Sequence, residues 1–573
     1  MIRSNTAPAA GVWVIRALGN NAPPVSSFPH LRAPQGSDAP AAGAVPLSRF
    51  SWLPAVALSV AFTTAVLLWD PHVRDLAAQT FRTELFERGG FSIWNGSWYG
   101  GHYTLTYSVL LPPAAALIGA RMVGALSVVL SAYLFDRLVR EHWGERAHWA
   151  TLWFGVGAVS LLVSGQLAFA MGVAFGLLAV RCLQRKRRGQ AMVAALCCAL
   201  ASPVAAVFLG GVVLAVRAAG GLRRDGIAVG AIALGVVLCL NLAFPESGEF
   251  PFAFTSFIGV PLWCAGALLV TRGVPGERQF RAAVYAYLVA ATAAWLMPNP
   301  LGGNAIRLGA LFGGPLLAAI LLTRRPRVHP ALVVLVLLGS LYWQLMAGVR
   351  AVVQTDGDRS TTAAYYHPLR SWLRAHDGRV SRIEVPPTSN HWEAAYLAPS
   401  FGLARGWLRQ LDTTRDDVFY DGHLSHRGYR RWLERNAVRY VALPDAPLDY
   451  SARTERGLIL SAPGYLRLRW TSTHWRVYEV RHPGPLVVGD GYSEGRLRSL
   501  GTQSFAVQVL RPGRLIVREH YTPFWAIKSG PACVEAAGDW TELRAARPGL
   551  VRVGIDFTPG RAIQGVFGGR GDC

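Results

Sequence analysis

Eleven apolar segments fill most of the first 350 residues, and they restrict this chain to one class of fold. About 18 consecutive apolar residues are enough for a helix to cross the hydrocarbon core of a bilayer. Only 16% of the residues are charged, against about 25% in soluble domains. The sequence therefore predicts a mainly α-helical, polytopic membrane domain. The segments are residues 51–69, 121–138, 148–164, 169–183, 190–201, 203–218, 226–244, 255–271, 281–297, 307–323 and 329–349.

Arginine is concentrated in every second loop between these segments. The arginine-rich loops are residues 137–146, 181–189, 217–226, 271–281 and 323–327. The intervening loops, which contain neither Lys nor Arg, are residues 164–166, the Ser202-Pro203 break, 244–252 and 298–304. Because short cytoplasmic loops carry the excess of Lys and Arg, this alternation predicts eleven crossings with the N-terminus in the cytoplasm. The short segments on either side of Ser202-Pro203 leave two readings open, one kinked helix or two short helices.

The alternation also divides the chain into domains. Residues 1–48 lack apolar periodicity and are interpreted as a disordered cytoplasmic leader, or as the product of a start codon assigned too far upstream. The membrane domain comprises residues 49–350 and its first extracytoplasmic loop residues 70–113. The apolar stretch 105–120 is broken by Pro112-Pro113 and is predicted to be a short interfacial or re-entrant helix. Such irregular backbone at membrane depth requires burial in protein or a wet cavity.

The chain beyond about residue 350 has the pattern of a soluble, exported part with two domains. In residues 351–483 the amphipathic stretch SWLRAHDG ends at a glycine, and the runs VSRIEV and VRYVALP predict short buried strands. Residues 484–573 contain short alternating runs separated by Gly and Pro, which is typical of an antiparallel β-sandwich. The sequence thus predicts an extracytoplasmic α/β domain followed by a β-sandwich domain.

Cysteine and charge patterns exclude two other classes of site. Of seven cysteines, only Cys533 and Cys573 lie in the exported part, where an oxidising compartment permits a disulfide between them. Neither a CxxC pair nor an HExxH spacing occurs, so no structural zinc site is predicted. The net charge of +23 comes from arginines scattered over many loops, which argues against a nucleic-acid-binding tract.

The first extracytoplasmic loop combines acids, cations and aromatic side chains directly after the first apolar segment. Its candidate site residues are Asp70, His72, Arg74, Asp75, Arg82, Trp94, Tyr99 and His102. The glycines of the run FSIWNGSWYGGHY allow tight turns and a close approach of the backbone to a ligand. Two simpler interpretations of these residues remain open besides a ligand site. The acids are also explained as helix-end carboxylates, and the aromatic residues as an interfacial belt.

Transfer of a sugar to a hydroxyl group requires a base and groups that stabilise a departing phosphate. We assign the base to Asp70 or Asp75, with Asp70 preferred. Arg74, Arg82 and Arg307 suit the phosphate, because guanidinium groups bind phosphate oxygens in a bidentate manner. Arg307 begins an apolar segment after a Gly-rich loop. The simpler interpretation of Arg307 is a helix-end arginine that extends its charge to the membrane surface. Because nucleotide sugars are absent outside the cell, the donor would be a polyprenyl-phosphate sugar.

These residues resemble the type-C glycosyltransferase superfamily, whose multi-spanning members use lipid-phosphate sugar donors. The first-loop acids followed by GGFSIWNGSWYGG and YSVLLPP are similar to a G-x-x-x-W-N-x-x-x-x-G-G … P run in several bacterial and archaeal members. SGQLAFAMGVAFGLLAV, with ALASPVAAVFL after it, is similar to the superfamily's Gly-Gln helix start and later small-Pro break. The resemblance covers roughly residues 50–350 and, loosely, the tail. It implies an inverting transferase whose base is Asp70 or Asp75.

One departure from the superfamily bears on the site. A tight acidic pair is absent, because PHVR separates Asp70 from Asp75. Both the choice of base and a divalent cation cofactor, Mg²⁺ or Mn²⁺, therefore stay open. The implied partners are a lipid-phosphate sugar donor, a glycan or protein acceptor and the bacterial plasma membrane. The rival hypotheses are a non-enzymatic transporter or flippase, and a polysaccharide-export or scaffold protein of the envelope.

Overall fold

The computed structural model describes residues 52–218, 224–246, 248–274, 278–324, 326–376, 380–566 and 573. The predicted leader, residues 1–48, lies outside the described residues. The rest consists of a helical N-terminal part and a sheet-rich C-terminal part, as the sequence predicts.

The N-terminal part contains fifteen α-helices in the described residues. They are α1 (Leu53–Trp69), α2 (Arg74–Gly89), α3 (Leu111–Ile118), α4 (Ala120–Trp143), α5 (His148–Gly157), α6 (Val159–Val163), α7 (Leu167–Gln184), α8 (Arg188–Ala201), α9 (Pro203–Ala218), α10 (Arg224–Ala243), α11 (Phe254–Phe257), α12 (Gly259–Val270), α13 (Arg278–Leu296), α14 (Ile306–Thr323) and α15 (Pro330–Val353). Each predicted apolar segment coincides with one of these helices or with a pair of them.

The break at Ser202-Pro203 produces two helices rather than one. Ser202 adopts an extended conformation, with φ −155° and ψ 114°. A residue before proline is biased away from the helical region, and proline has no N–H to donate to the preceding turn. The chain therefore ends α8 at Ala201 and begins α9 at Pro203.

By length and hydropathy, five helices in the described part of the chain are suited to cross a membrane. They are Ala120–Trp143, Leu167–Gln184, Asp225–Ala243, Gly302–Thr323 and Pro330–Val353. The pair α1 and α2 passes the same test together, but it bends by 80°. On α15, Val334, Leu335 and Leu338 are more than half exposed, as expected of side chains that face lipid. These helices indicate a membrane domain with several crossings. The predicted number of eleven crossings stays a prediction.

The apolar stretch 105–120 forms a short helix, α3, as the sequence predicts. Gly119, with φ +85°, separates α3 from the long helix α4. The amides of Val109 and Leu110 both donate to the carbonyl oxygen of Leu200, at 2.8 and 3.2 Å. These bonds fix the end of the first loop against α8.

The arginine-rich loops contact one another, and so do the loops that lack arginine. In the arginine-rich set, Arg181 is paired with Glu141 and Arg188 with Asp225. In the other set, the amide of Phe250 donates to the carbonyl oxygen of Asn299 at 3.1 Å. Residues 70–103 and the loop after α10 also contact the C-terminal part directly, as described below. The cytoplasmic or exported location of each set stays a prediction.

A mixed five-stranded sheet organises residues 363–480. Its strands are β3 (Arg382–Glu384), β4 (Gly402–Leu403), β5 (Val438–Pro444), β6 (Leu466–Thr471) and β7 (Trp475–Val480), in the order β4-β3-β5-β7-β6. β3 is parallel to β4 and β5, and β7 is antiparallel to β5 and β6. The surrounding helices are α16 (Ala363–His376), α17 (Glu393–Tyr396), α18 (Arg409–Arg415), α19 (His426–Arg435) and α20 (Arg453–Leu460).

A buried ionic cluster lies beneath this sheet. We call it the Arg405 cluster; it consists of Arg405, Glu384, Asp412, Asp416 and Glu455, all less than 5% exposed. Arg405 donates to both oxygens of Asp412, at 3.0 and 2.6 Å, and its Nη1 lies 3.6 Å from Glu455. One guanidinium thus balances acids from β3, α18, α20 and the α18–α19 loop.

The last domain is a β-sandwich of two four-stranded antiparallel sheets. Its strands are β8 (Val487–Gly489), β9 (Glu494–Leu500), β10 (Ser504–Arg511), β11 (Gly513–His520), β12 (Trp525–Ser529), β13 (Ala532–Ala537), β14 (Trp540–Ala545) and β15 (Gly549–Ile555). The strand orders are β12-β15-β10-β9 and β13-β14-β11-β8. Alternate side chains such as Val507 and Val517 fill the space between the sheets. Cys533 on β13 is joined to Cys573 by a disulfide, the pairing that the sequence analysis considered.

A hairpin in the first loop and the last helix connect the helical part to the C-terminal domains. The two-residue strands β1 (Trp94–Asn95) and β2 (His102–Tyr103) form a hairpin in the first loop. Trp94 packs edge-on against Trp525 of the sandwich, with ring centroids 5.9 Å apart. Helix α21 (Pro559–Val566) contacts α10 at the edge of the helical part. The first loop therefore lies between the helices and both C-terminal domains.

Candidate functional site

A cavity of about 440 Å³ with both apolar and charged residues in its wall lies where the helical part meets the sheet-rich part. Helix α2 contributes Arg74, Asp75, Ala78 and Arg82, and the first loop contributes Tyr103 and Tyr107. The other polar and aromatic residues of its wall come from α7, α10 and the loop after it, the start of α14 and the C-terminal part. They are Phe169, Asn241, Glu246, Phe250, Asn304, Arg307, Trp407, Arg409, Gln410 and Tyr450. A volume of this size is in the usual range for small-ligand sites.

Asp75 is positioned by the sharp turn from α1 into α2. It lies in the first turn of α2, where the helix dipole stabilises a negative charge. Gly165 allows this packing, since a Cβ at that position would lie 2.8 Å from the backbone nitrogen of Leu76. In the described residues the Asp75 carboxylate has no hydrogen bond or ion pair within 4 Å, so it is free to accept a proton from a ligand.

Arg82 faces the same cavity from α2, seven residues further along. Residues at this spacing share one face of a helix. The guanidinium of Arg82 lies 3.9 Å from the ring centroid of Tyr107 and 5.8 Å from that of Trp98. Its side chain is buried, yet its Nε and Nη1 have no hydrogen-bond partner. A buried cation with unused donors next to a cavity is suited to binding an anion.

Arg307 joins Arg82 from a position more than 200 residues away in the sequence. It begins α14, and its guanidinium lies 5.4 Å from the ring of Phe169. Among the described residues it has no ion-pair partner within 4 Å. Asp75 lies within electrostatic range of both arginines. The cavity therefore combines a free carboxylate with two guanidinium groups that have no paired anion.

Arg74 also lines the cavity, but the C-terminal part already holds it. Its Nε donates to the carbonyl oxygen of Ser389 at 2.8 Å, and its own carbonyl accepts from Trp407 Nε1 at 3.1 Å. These bonds join the start of α2 to the α/β domain. Arg74 is thus a structural link as well as a wall of the cavity.

Glu246 is a second carboxylate in the cavity wall that the sequence analysis missed. Its Oε2 accepts from the amide of Tyr103 at 2.6 Å, and its Oε1 from Arg415 at 3.1 Å. Burial raises the pKa of this carboxyl to about 7. Because both oxygens are occupied, Glu246 positions the wall and is a poorer base than Asp75. Its signal was present in the arginine-free loop FPESGEFPF, whose only charged residues are Glu246 and Glu249.

The C-terminal part supplies Trp407, Arg409 and Tyr450, which the sequence analysis did not name as site residues. Arg409 donates to both carboxylate oxygens of Asp449, at 3.1 and 2.7 Å. Its guanidinium lies 5.3 Å from the ring of Trp407 and 4.9 Å from that of Tyr450. In the sequence, the density of Trp, Arg and acids in residues 391–412 suggests an acceptor-binding or docking face toward the membrane cavity, and Trp407 and Arg409 lie in this stretch.

The structure brings Asp75, and not the preferred Asp70, into the cavity wall. Asp70 caps the end of α1 in the left-handed conformation, with φ +53°. Its carboxylate pairs with Arg121 at 2.7 Å and is 56% exposed. It does not belong to the cavity wall, whereas Asp75 does. The kink after α1 turns the two acids, five residues apart, in different directions.

Four more residues that the sequence analysis assigned to substrate binding lie outside the cavity wall. Trp94 and Tyr99 are buried, and the Tyr99 hydroxyl accepts from the amide of Leu408 at 3.1 Å. His102 is also buried; burial lowers its pKa to about 3, so the ring is neutral. His72 packs against Trp392, with ring centroids 5.3 Å apart. These aromatic residues build the interface between the first loop and the C-terminal part, a role that local sequence cannot distinguish from ligand binding.

The described residues do not gather a ligand set for a divalent cation. They contain no group of three or more His, Cys, Asp or Glu side chains suited to hold a metal. Near Asp75 the other acid of the wall, Glu246, is engaged by Arg415. The described protein residues alone therefore do not form a full ligand set, the Mg²⁺ or Mn²⁺ that the resemblance left open stays a prediction, and no step below depends on a metal.

No protein-family model matches the sequence, and neither does any curated protein. The fold is similar to solved structures of the arabinofuranosyltransferase AftD from Mycobacteria and of a mutant of that protein. Both are 13% identical to this chain, with TM-scores of 0.46 and 0.44. The similarity covers 90% of this chain, but only 58% and 60% of theirs. This chain therefore spans less than two thirds of the length of those proteins, and the likeness assigns it no activity.

Proposed function

We propose that this chain is a membrane glycosyltransferase that uses Asp75 as its base. One observation carries the proposal: a free carboxylate and two unpaired guanidinium groups share a cavity at the end of a bundle of apolar helices. The carboxylate suits a hydroxyl proton, and the guanidinium groups suit a phosphate. The adjoining apolar helices suit a substrate that carries a lipid chain.

The proposed reaction moves a sugar from a polyprenyl phosphate to a hydroxyl group of an envelope glycan or protein. Asp75 takes the proton of the acceptor hydroxyl as its oxygen bonds to the anomeric carbon. The bond from that carbon to the phosphate oxygen breaks, and its electron pair leaves with the polyprenyl phosphate. Arg82 and Arg307 stabilise the charge that develops on this phosphate. Attack from the side opposite to the phosphate inverts the anomeric centre.

The location of the cavity is part of the same proposal. The positive-inside rule assigns the first loop and the C-terminal part to the extracytoplasmic face of a bacterial plasma membrane. Both border the cavity. Lipid-phosphate sugars can be used on that face, because they enter from the bilayer and not from the cytosol.

A transfer assay tests the proposal directly. Membranes that contain the chain are supplied with radiolabelled pentosyl and hexosyl polyprenyl phosphates, with and without EDTA. The expected result is label in a glycan product together with released polyprenyl phosphate, in both conditions. A rival transporter or flippase would move the labelled lipid across the bilayer with its sugar-phosphate bond intact.

Arg82→Leu should lower kcat/KM for the lipid donor by about 10²-fold, because a charged donor to the developing phosphate is lost. Arg82→Lys should restore part of the activity, since a point charge remains without the bidentate geometry. Arg88→Leu is the matched control: Arg88 lies on the same helix and is exposed, and its partners Glu84 and the carbonyl oxygen of Pro399 lie outside the cavity wall. Equal activities for all three variants would exclude Arg82 from the donor site.

A further inference from the structure

The cavity has two walls of different electrical character. In the helical wall, Arg74, Arg82 and Arg307 have no paired anion among the described residues, and Arg74 is bound to the carbonyl oxygen of Ser389. In the wall from the C-terminal part, Arg409 is neutralised by a two-point ion pair with Asp449. One side of the cavity therefore carries net positive charge, whereas the other side offers polar groups without net charge.

The uncharged side is an aromatic surface with hydrogen-bonding groups at its edge. We call it the aromatic wall; it consists of Trp407, Arg409, Gln410 and Tyr450. Tyr450 is 54% exposed. In the described part of the chain, neither the Tyr450 hydroxyl nor the Gln410 side-chain amide has a hydrogen-bond partner. The wall thus presents an open ring face together with donors and acceptors.

The aromatic wall is held rigidly from behind. His391 stacks on Trp407 with ring centroids 3.7 Å apart and planes within 5°. His391 Nε2 also lies 3.5 Å from Asp449, the partner of Arg409. The Trp407 indole N–H is bound to the carbonyl oxygen of Arg74. Such support lowers the entropy that a ligand loses on binding, because the wall is already ordered.

We infer that the aromatic wall is the acceptor subsite and that it binds a neutral carbohydrate chain. The inference rests on the proposed function, which requires an acceptor hydroxyl beside Asp75. A sugar presents apolar C–H faces and hydroxyl edges, and these complement an aromatic ring flanked by amide and phenol groups. An anionic glycan would need an unpaired cation, but the cation of this wall is already paired with Asp449. Of the cations without a paired anion, Arg82 and Arg307 are assigned to the donor phosphate. Arg74 lies 5.8 Å from the ring centroid of Trp407, and its Nε is bound to Ser389.

Binding to the full chain in detergent tests the inference without requiring catalysis. The probes are neutral oligosaccharides of pentoses and hexoses, and uronic-acid oligosaccharides of the same length, observed by saturation-transfer NMR. Neutral chains should bind, and Tyr450→Ala should weaken their binding by about tenfold through loss of the ring face. Asp75→Asn should retain the binding. Tyr492→Ala is the control, since Tyr492 is 87% exposed on the β-sandwich and lies outside the cavity wall.

The possible results separate this inference from the proposed function. Preferential binding of uronic-acid chains, no binding of neutral chains, or unchanged binding in Tyr450→Ala would each overturn the acceptor assignment. Sugar transfer that persists in those cases would leave the glycosyltransferase proposal intact. Conversely, neutral chains that bind through Tyr450 to a chain without transferase activity would contradict the proposed function and retain the carbohydrate site.

Discussion

Asp75→Asn should lower kcat for sugar transfer by about 10²- to 10⁴-fold, the usual contribution of a positioned general base. The amide keeps the shape of the carboxyl group but accepts protons poorly. The structure gives the substitution little else to disturb, because no described residue bonds to this carboxylate. Donor affinity should change little, since Arg82 and Arg307 are untouched. Single-turnover transfer from a labelled polyprenyl-phosphate sugar measures the chemical step, and donor binding is measured separately.

Asp70→Asn provides the matched control for this experiment. It removes a charge from the same loop, but its partner Arg121 lies outside the cavity wall. Exposed ion pairs contribute little to stability, so this variant should transfer sugar at nearly the wild-type rate. Full activity in Asp75→Asn, or a loss as large in Asp70→Asn, would contradict the assignment of the base.

The helical part of this fold was predictable because its signal is local. Each apolar segment is long enough to register without knowledge of its neighbours, and each coincides with helices. Proline marked the break at Ser202-Pro203, where the sequence left one kinked helix or two short helices open, whereas the break at Gly119 was not predicted. The number of crossings is different in kind, because it depends on how each helix lies in a bilayer. Length and hydropathy select only five helices in the described residues.

The site was only partly predictable because its residues meet through distant contacts. The sequence analysis named Asp75, Arg82 and Arg307, and the fold brings all three to one cavity. Asp70 was preferred over Asp75, because the local sequence shows neither the kink after α1 nor the pairing of Asp70 with Arg121, 51 residues further along. The chemistry of a loop can be read from its residue types, whereas the direction of each side chain requires the tertiary structure.

The cavity residues from the C-terminal part were harder still to predict from local sequence. Arg409 is separated from Arg82 by more than 300 residues, and no periodicity connects them. Trp94 and Tyr99, which the sequence predicts to bind substrate, lie outside the cavity wall. Aromatic residues near a glycine-rich turn suit a ligand site and an interdomain interface equally well. Only their burial against Trp525 and Leu408 shows that they serve the interface.

Arg405→Leu should destabilise the α/β domain by about 3–5 kcal/mol, the usual cost of leaving a buried charge without its partner. The substitution leaves the carboxylates of the Arg405 cluster buried with no cation in contact. The substitution should also disturb Arg409 in the cavity wall. Arg409 donates to the Tyr420 hydroxyl at 2.6 Å, and this hydroxyl donates to Asp412 of the Arg405 cluster. Urea unfolding of the full chain in detergent, followed by tryptophan fluorescence, measures the effect.

The destabilisation should grow as the pH rises from about 5 to about 8. Burial raises the pKa of Glu455 to about 7, and burial with the nearby charge of Asp412 raises that of Asp416 to about 8. An acid with a raised native pKa holds a proton that the unfolded chain has lost, so its contribution to stability falls with pH. Asp412 behaves oppositely in the wild type: burial opposes its ionisation, yet Arg405 outweighs burial and lowers its pKa. Without Arg405, Asp412 becomes a further acid with a raised pKa.

Arg430→Leu is the control for the Arg405 substitution. Arg430 lies on α19 of the same domain and pairs with Glu434 at 2.8 Å, with 52% and 36% of the two side chains exposed. Its removal should change stability by no more than about 0.5 kcal/mol and without pH dependence, since both partners stay hydrated. If Arg405→Leu proves no more damaging than this control, or if its effect shrinks toward high pH, the acids are not balanced by Arg405.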